Sequence, residues 1–167
     1  MKIKIDLLKS QKIKFEGVTD FGELYKYMKL WFEDNKYGDK DKIEKSLEQK
    51  YIERIKGEKK QLEISWHAEK KKSDFFRYNI DTLFLILGMG DVEVEENGVK
   101  RKMQKAVFEI RVSSYLESTK AWDDLKGLQK IYREFIIRKR INEYLAELYD
   151  KSMKYFSYIK TYLGLRD

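Results

Sequence analysis

Histidine, cysteine and paired carboxylates build most active sites, and this chain is poor in the first two. It holds one histidine, His67, and no cysteine. Thiol catalysis, disulfides and cysteine-ligated zinc or iron–sulfur centres are therefore excluded. A histidine-based metal centre needs two or three such ligands, so one copy of the chain cannot assemble it. His67 lies in QLEISWHAE, where Leu62, Ile64, Trp66 and Ala68 share one face of a strand and Glu63, Ser65 and His67 the other. That places it on a polar face, with no nucleophile or orienting group that the pattern brings to it.

The carboxylate clusters have structural explanations. Asn97-Gly98 is a preferred two-residue hairpin turn. It sets Glu96 opposite Val99, Glu95 opposite Lys100, Val94 opposite Arg101 and Glu93 opposite Lys102, so Glu93 and Glu95 read as cross-strand charge partners. Asp39 and Asp41, near Gly38, lack the ligand order of a calcium loop. Asp123 and Asp124 suit the start of a helix. Gly88-Met89-Gly90 is no phosphate-binding loop, and no other glycine pattern fits one. No cofactor is expected.

Two basic triplets stand out: Lys70, Lys71 and Lys72 at a strand end, and Arg138, Lys139 and Arg140 in a helical region. The second triplet points in several directions around its helix and makes no single stripe. The net charge of +7 favours anionic partners without making the chain a polycation. Weakly specific nucleic-acid binding is an alternative on this ground, although no aromatic–basic interleaving matches an RNA-recognition signature.

The elements that must carry these residues follow from periodicity. Of 167 residues, 42% are hydrophobic and 39% charged, which suits one domain over residues 1–167 with a charged surface around a substantial core. Ile3 and Ile5, then Ile13 and Phe15, alternate with lysines as in a strand or short hairpin. Thr19 or Asp20 can cap a helix, with Glu23 completing a capping box. Leu24, Met28, Trp31 and Phe32 make its stripe, and it should end near Asn35 or Gly38. Residues 42–56 fit either helix or strand at first, with strand favoured from about 45.

Strands follow over QLEISWHAE, from Phe75 to Leu87, and on both sides of the Asn97-Gly98 turn. The apolar face of the last strand is Ala106, Phe108, Ile110 and Val112, out of step with Met103. One residue must be absorbed, which predicts a β-bulge near Gln104–Lys105. From Trp122 to Leu163 the pattern is helical: Trp122, Leu125, Leu128 and Tyr132 make one stripe, continued by Ile141, Leu145, Leu148, Phe156, Ile159 and Leu163. Forty-odd residues would span roughly 60 Å of helix. The helix must break, near Arg138–Asn142 or Asp150–Ser152, or project and pair with something.

The least typical segment is Leu83, Phe84, Leu85, Ile86 and Leu87, apolar at every position. A strand with one wet face alternates, so both faces of this one are expected to be covered. The second cover would be the curl of the sheet, another subunit or an apolar ligand. No segment approaches the roughly 18 apolar residues of a membrane span, and the first residues lack the apolar core of a secretory leader. A cytoplasmic location is expected.

The fold class is therefore α+β: a curled antiparallel sheet of about five to six strands, packed on an N-terminal helix and a long C-terminal helix. This order is similar to that of helix-grip folds such as the lipid-transfer and polyketide-cyclase-like superfamily. The resemblance is one of element order, with no motif behind it, and implies a cavity between sheet and C-terminal helix. Function is expected to be contact rather than catalysis. The leading reading is an interaction or assembly module, with a protein partner or self-association. Its candidate surfaces are Leu83, Phe84, Leu85, Ile86 and Leu87 on the strand, and Tyr144, Leu148, Tyr155 and Phe156 on the helix. The alternative is a carrier of an apolar small molecule in such a cavity.

Overall fold

The computed structural model describes residues 2–38 and 47–165. Asp39, Asp41 and residues 42–46 of the ambiguous segment lie outside the described residues. Among the described residues the elements follow in this order: β1 (Lys4–Thr19), α1 (Phe21–Asp34), β2 (Glu48–Lys56), β3 (Lys59–Lys71), β4 (Phe76–Glu96), β5 (Val99–Ser118), α2 (Lys120–Asp123) and α3 (Gly127–Tyr162). The five strands form one sheet in the order β1-β5-β4-β3-β2, antiparallel at every pairing. The sheet is open, and the fold class is the α+β arrangement that the sequence predicts.

Alternation decides which face the helices cover. Ile64, Trp66 and Ala68 of β3, Tyr78, Ile80, Phe84 and Ile86 of β4, and Phe108, Ile110, Val112 and Leu116 of β5 are all buried. They project from one face, and α1 and α3 lie against it. Helix α1 begins as its sequence dictates: the Asp20 carboxylate accepts from the Glu23 backbone N–H at 3.1 Å, and Leu24, Met28, Trp31 and Phe32 are its buried stripe. Rings then fill the space between the layers. Tyr155 of α3 lies 4.9 Å from Trp31 and 4.7 Å from Phe32, while Trp66 meets Phe84 at 4.8 Å and Tyr25 at 4.6 Å. The Tyr155 hydroxyl shares a buried 2.7 Å hydrogen bond with Thr82 Oγ1, tying the helix to the centre of the sheet.

Several local expectations need correction. Of the two readings of the N-terminal segment, strand or short hairpin, residues 4–19 take the first and form one strand. Register shifts beside Leu7 and Lys9–Ser10 absorb the break in its pattern, with Ser10 at φ 49°. The β4–β5 hairpin has the register set by Asn97-Gly98, from Glu96–Val99 to Glu93–Lys102. Its bulge, however, is not at Gln104–Lys105. It lies across the ladder, between Leu87 and Gly90 of β4, where Gly88 takes φ 62°. An extra residue needs a backbone that can leave the extended region, and glycine does so without a Cβ clash.

The C-terminal helix neither breaks near Arg138–Asn142 nor near Asp150–Ser152. It is one 36-residue helix, roughly 54 Å long. Trp122 belongs instead to the short α2, buried against Phe75 and Phe76 at 5.9 and 5.4 Å. Gly127, at φ 69°, opens the new helix after that turn. No helix is long and apolar enough to cross a membrane among the described residues.

Candidate interaction surface

The apolar strand segment divides by parity. Phe84 and Ile86 are fully buried beneath the helices, whereas Leu83 and Leu85 are half-buried on the opposite face and Leu87 is 50% exposed. Among the described residues, then, another layer covers only one face of the segment. Neighbouring strands supply the partial cover on the other: Ser65 and Arg111 flank Leu83, and Glu63 and Glu109 flank Leu85. Long charged side chains shield apolar surface with their stems while their heads stay in water. Beyond Leu87 the outer face opens into a hollow of about 610 Å³ along Glu16, Lys59, Leu87, Gly88, Lys105 and Val107.

The four helical candidates sit elsewhere than on a free surface. Leu148 and Tyr155 are completely buried and Phe156 nearly so, in the layer between α3 and the sheet. Tyr144 is half-buried, its ring 6.2 Å from Phe76 and 5.6 Å from the Lys72 ammonium. These side chains seat the helix on its own sheet.

His67 has partners that the sequence conceals. Its Nδ1 is hydrogen-bonded to Asp81 Oδ1, directly across the β3–β4 ladder, and its Nε2 lies 2.9 Å from Glu69 Oε1. The Asp81 hydrogen bond, against the opposing effect of burial and with help from Glu69, raises the imidazole to about 9. It is an imidazolium at neutral pH with both N–H groups donating. Such a ring has no lone pair for a proton or a metal, so here it is an ion-pair centre on the outer face. No group of metal-ligating side chains is present among the described residues.

The first basic triplet is likewise engaged. Lys70 donates to the Asn35 carbonyl at 3.0 Å, Lys71 pairs with Asp74 at 3.0 Å and Lys72 with Glu147 of α3 at 2.7 Å. The Lys72 hydrogen bond holds the Glu147 carboxyl below its ordinary range, against the opposing effect of burial. Arg138, Lys139 and Arg140 are exposed.

The surface that sequence reasoning missed is the outward side of the first turns of α3. Leu128 is 85% exposed, Ile131 65%, Tyr132 68% and Phe135 67%. At 3.6 residues per turn these four fall within an arc of about 100°. Ile137, Ile141, Tyr144 and Leu148, which face the body of the protein, lie on nearly the opposite side. The helix therefore reverses its amphipathy: apolar outward at its start, apolar inward afterwards. Lys139 lies 5.2 Å from the Phe135 ring at the end of this ridge, and Arg133 anchors the other side over Phe75 at 5.1 Å. The signal was present as a change of phase. Alternating steps of four and three carry the row Leu128, Tyr132 and Phe135 on to Lys139, Asn142 and Ala146, while Ile141 and Leu148 lie on nearly the opposite side, so they cannot belong to one stripe.

No family model matches the chain, and no similar protein is found among the curated proteins.

Proposed function

We propose that the protein is an interaction or assembly module that works by contact, with the outward ridge of α3 as its principal surface. One observation carries the reading. Four large apolar side chains, Leu128, Ile131, Tyr132 and Phe135, point into water along one line of a regular helix. Scattered exposed apolar residues are ordinary, but a contiguous row of this kind marks a contact site. An amphipathic helix presenting such a row is a recurrent means of protein recognition. Leu87, with the half-buried Leu83 and Leu85 beside it on the outer face of the sheet, supplies a second, flatter apolar strip.

The carrier reading finds less support. The layer between sheet and C-terminal helix is filled by the rings of Trp31, Phe32, Trp66, Phe84 and Tyr155, where the ligand would sit. Nucleic-acid binding loses the first basic triplet to internal partners.

The absence of natural cysteine gives a clean test. Single cysteines at Leu128 or Phe135, with Lys56→Cys as an exposed control, are labelled with a maleimide in cells of the native host and in dilute purified protein. Slower labelling of the ridge positions in cells, with the control unchanged, supports the reading. Equal rates at all positions in both settings would sink it.

A further inference from the structure

We propose that Tyr27 of α1 and Tyr158 of α3 form an oxidation site, at which a one-electron oxidant of the haem-peroxidase class joins the two rings into a dityrosine staple between the helices. The pair lies near the C-terminal end of α3, far along the helix from its exposed ridge, and does not depend on that ridge.

The ring centroids of Tyr27 and Tyr158 are 3.8 Å apart and the planes only 4° from parallel. Carbon atoms in contact sit about 3.5–4.0 Å apart, so one ring lies almost directly over the other. Free rings slide or tilt out of that arrangement, because their faces carry like charge. The next-closest pair among the described residues, Tyr25 and Trp66, is 4.6 Å apart and inclined at 66°. Tertiary packing imposes the stack. One turn along the same helices, the buried rings of Trp31 and Tyr155 meet at 4.9 Å and fix the spacing of α1 and α3. Burial, and then the charge and hydrogen bond of the Tyr27 hydroxyl, push the Tyr158 phenol up to about 12. Two hydroxyls that interact so closely lie at the same edge of the stack, and the carbons ortho to them overlie as well. Both tyrosines are half-buried, which leaves them within reach of an oxidant in solution.

Hydrogen peroxide serves as the terminal oxidant. Each phenol gives up one electron and its hydroxyl proton, and the O–O bond of the peroxide breaks to give two waters. The unpaired electron of each phenoxyl is shared between its oxygen and its ortho and para carbons, and the para carbon already carries the side-chain methylene. The two ortho carbons therefore join in a new C–C bond. Each then loses its hydrogen as a proton and each oxygen regains one, which restores both aromatic rings. The product has two hydrogen atoms fewer than the pair it came from. Groups held together in one fold meet at an effective concentration of millimolar or above, roughly a thousandfold over a second molecule at about 1 μM, so coupling stays within the chain.

The test treats the full chain at about 1 μM with a haem peroxidase and hydrogen peroxide, then digests the monomeric product with trypsin. The tryptic peptides YMK, YFSYIK and TYLGLR carry Tyr27, Tyr158 and Tyr162 separately. The expected product is a YMK–YFSYIK conjugate, linked at Tyr158, lighter by two hydrogen atoms and showing dityrosine fluorescence. Tyr27→Phe and Tyr158→Phe each keep a ring in the stack and remove a hydroxyl, and each should lower that fluorescence at least about tenfold. Tyr162→Phe should keep most of it, because that ring is 5.0 Å from Tyr27 and tilted by 38°. Tyr51 and Tyr132 are each more than half exposed and serve as the comparison for exposure without stacking. Three results would overturn the proposal: no dityrosine in the monomer, a conjugate of YMK with TYLGLR as the main product, or covalent dimers through Tyr51 or Tyr132. The last would mean that exposure, not stacking, selects the site.

Discussion

From Leu148 to Ile159, α3 turns its apolar side chains inward, and Leu148, Ser152, Tyr155 and Ile159 are completely buried. From Leu128 to Phe135 it turns them outward, and each is more than half exposed. The two halves share one unbroken helix and a similar supply of apolar residues. Composition therefore does not separate them; the phase of the apolar residues relative to the sheet does. The later half is held by the layer beneath it, through ring contacts and the Tyr155–Thr82 hydrogen bond. The earlier half has helix geometry and Ile137 to hold it, and its row of apolar side chains is left for something outside the chain.

Truncations test this division most directly. Leu148→Ala removes a completely buried side chain between helix and sheet, and should cost about 2–5 kcal/mol in urea denaturation. A loss below about 1 kcal/mol would mean that the later half is not seated as described. Tyr155→Phe keeps the ring and deletes the hydroxyl, leaving Thr82 Oγ1 buried without that partner, at a cost of about 1–2 kcal/mol. A neutral result would show that the hydrogen bond does not anchor the helix.

Acid should loosen the seat of the later half through Glu147. Glu147 pairs with Lys72 at 2.7 Å, and its carboxyl is held below the ordinary value of 4.5. A lowered native pKa gives stability that is present above the unfolded value and lost as pH falls through the folded one. Glu147→Gln should therefore lower stability at pH 7, and its deficit should shrink below about pH 4.5. Both side chains are partly exposed, so the effect is under about 1 kcal/mol. Parallel melting curves of wild type and variant across pH 3–7 check it; a constant deficit would assign the loss to packing.

Much of this architecture was legible in the sequence where it depended on neighbours along the chain. Asp20 and Glu23 announce the start of α1, its four buried residues follow from spacing, and Asn97-Gly98 fixes the hairpin register. What escaped depended on distant residues. The bulge went to Gly88 because two strands could have absorbed the extra residue, and the cheaper backbone lay in β4. Asp81 meets His67 only once the β3–β4 register is known, 14 residues apart in sequence. Two residues of the outward ridge, Leu128 and Tyr132, read as one stripe with Ile141 and Leu148, because a helical pattern shows that side chains share a face, not which way that face points. For the same reason the pattern marks Leu148, Tyr155 and Phe156 as a contact face without showing that the surface they meet is the protein's own sheet.

The smallest expected effect is the most informative about the earlier half. Leu128→Ala removes a side chain that is 85% exposed, so in dilute solution it forfeits almost no burial. Alanine is also the better helix former, by a few tenths of a kcal/mol. Unfolding in urea at about 1 μM should therefore change by less than about 0.5 kcal/mol, in either direction. The same substitution sits in the proposed contact surface, so the difference should grow when a partner is bound, because association stabilises only the folded chain. A loss of more than about 1 kcal/mol at 1 μM would show that Leu128 already packs within its own chain. The contrast between the two halves would then be one of degree, and the ridge would lose its claim to an external partner.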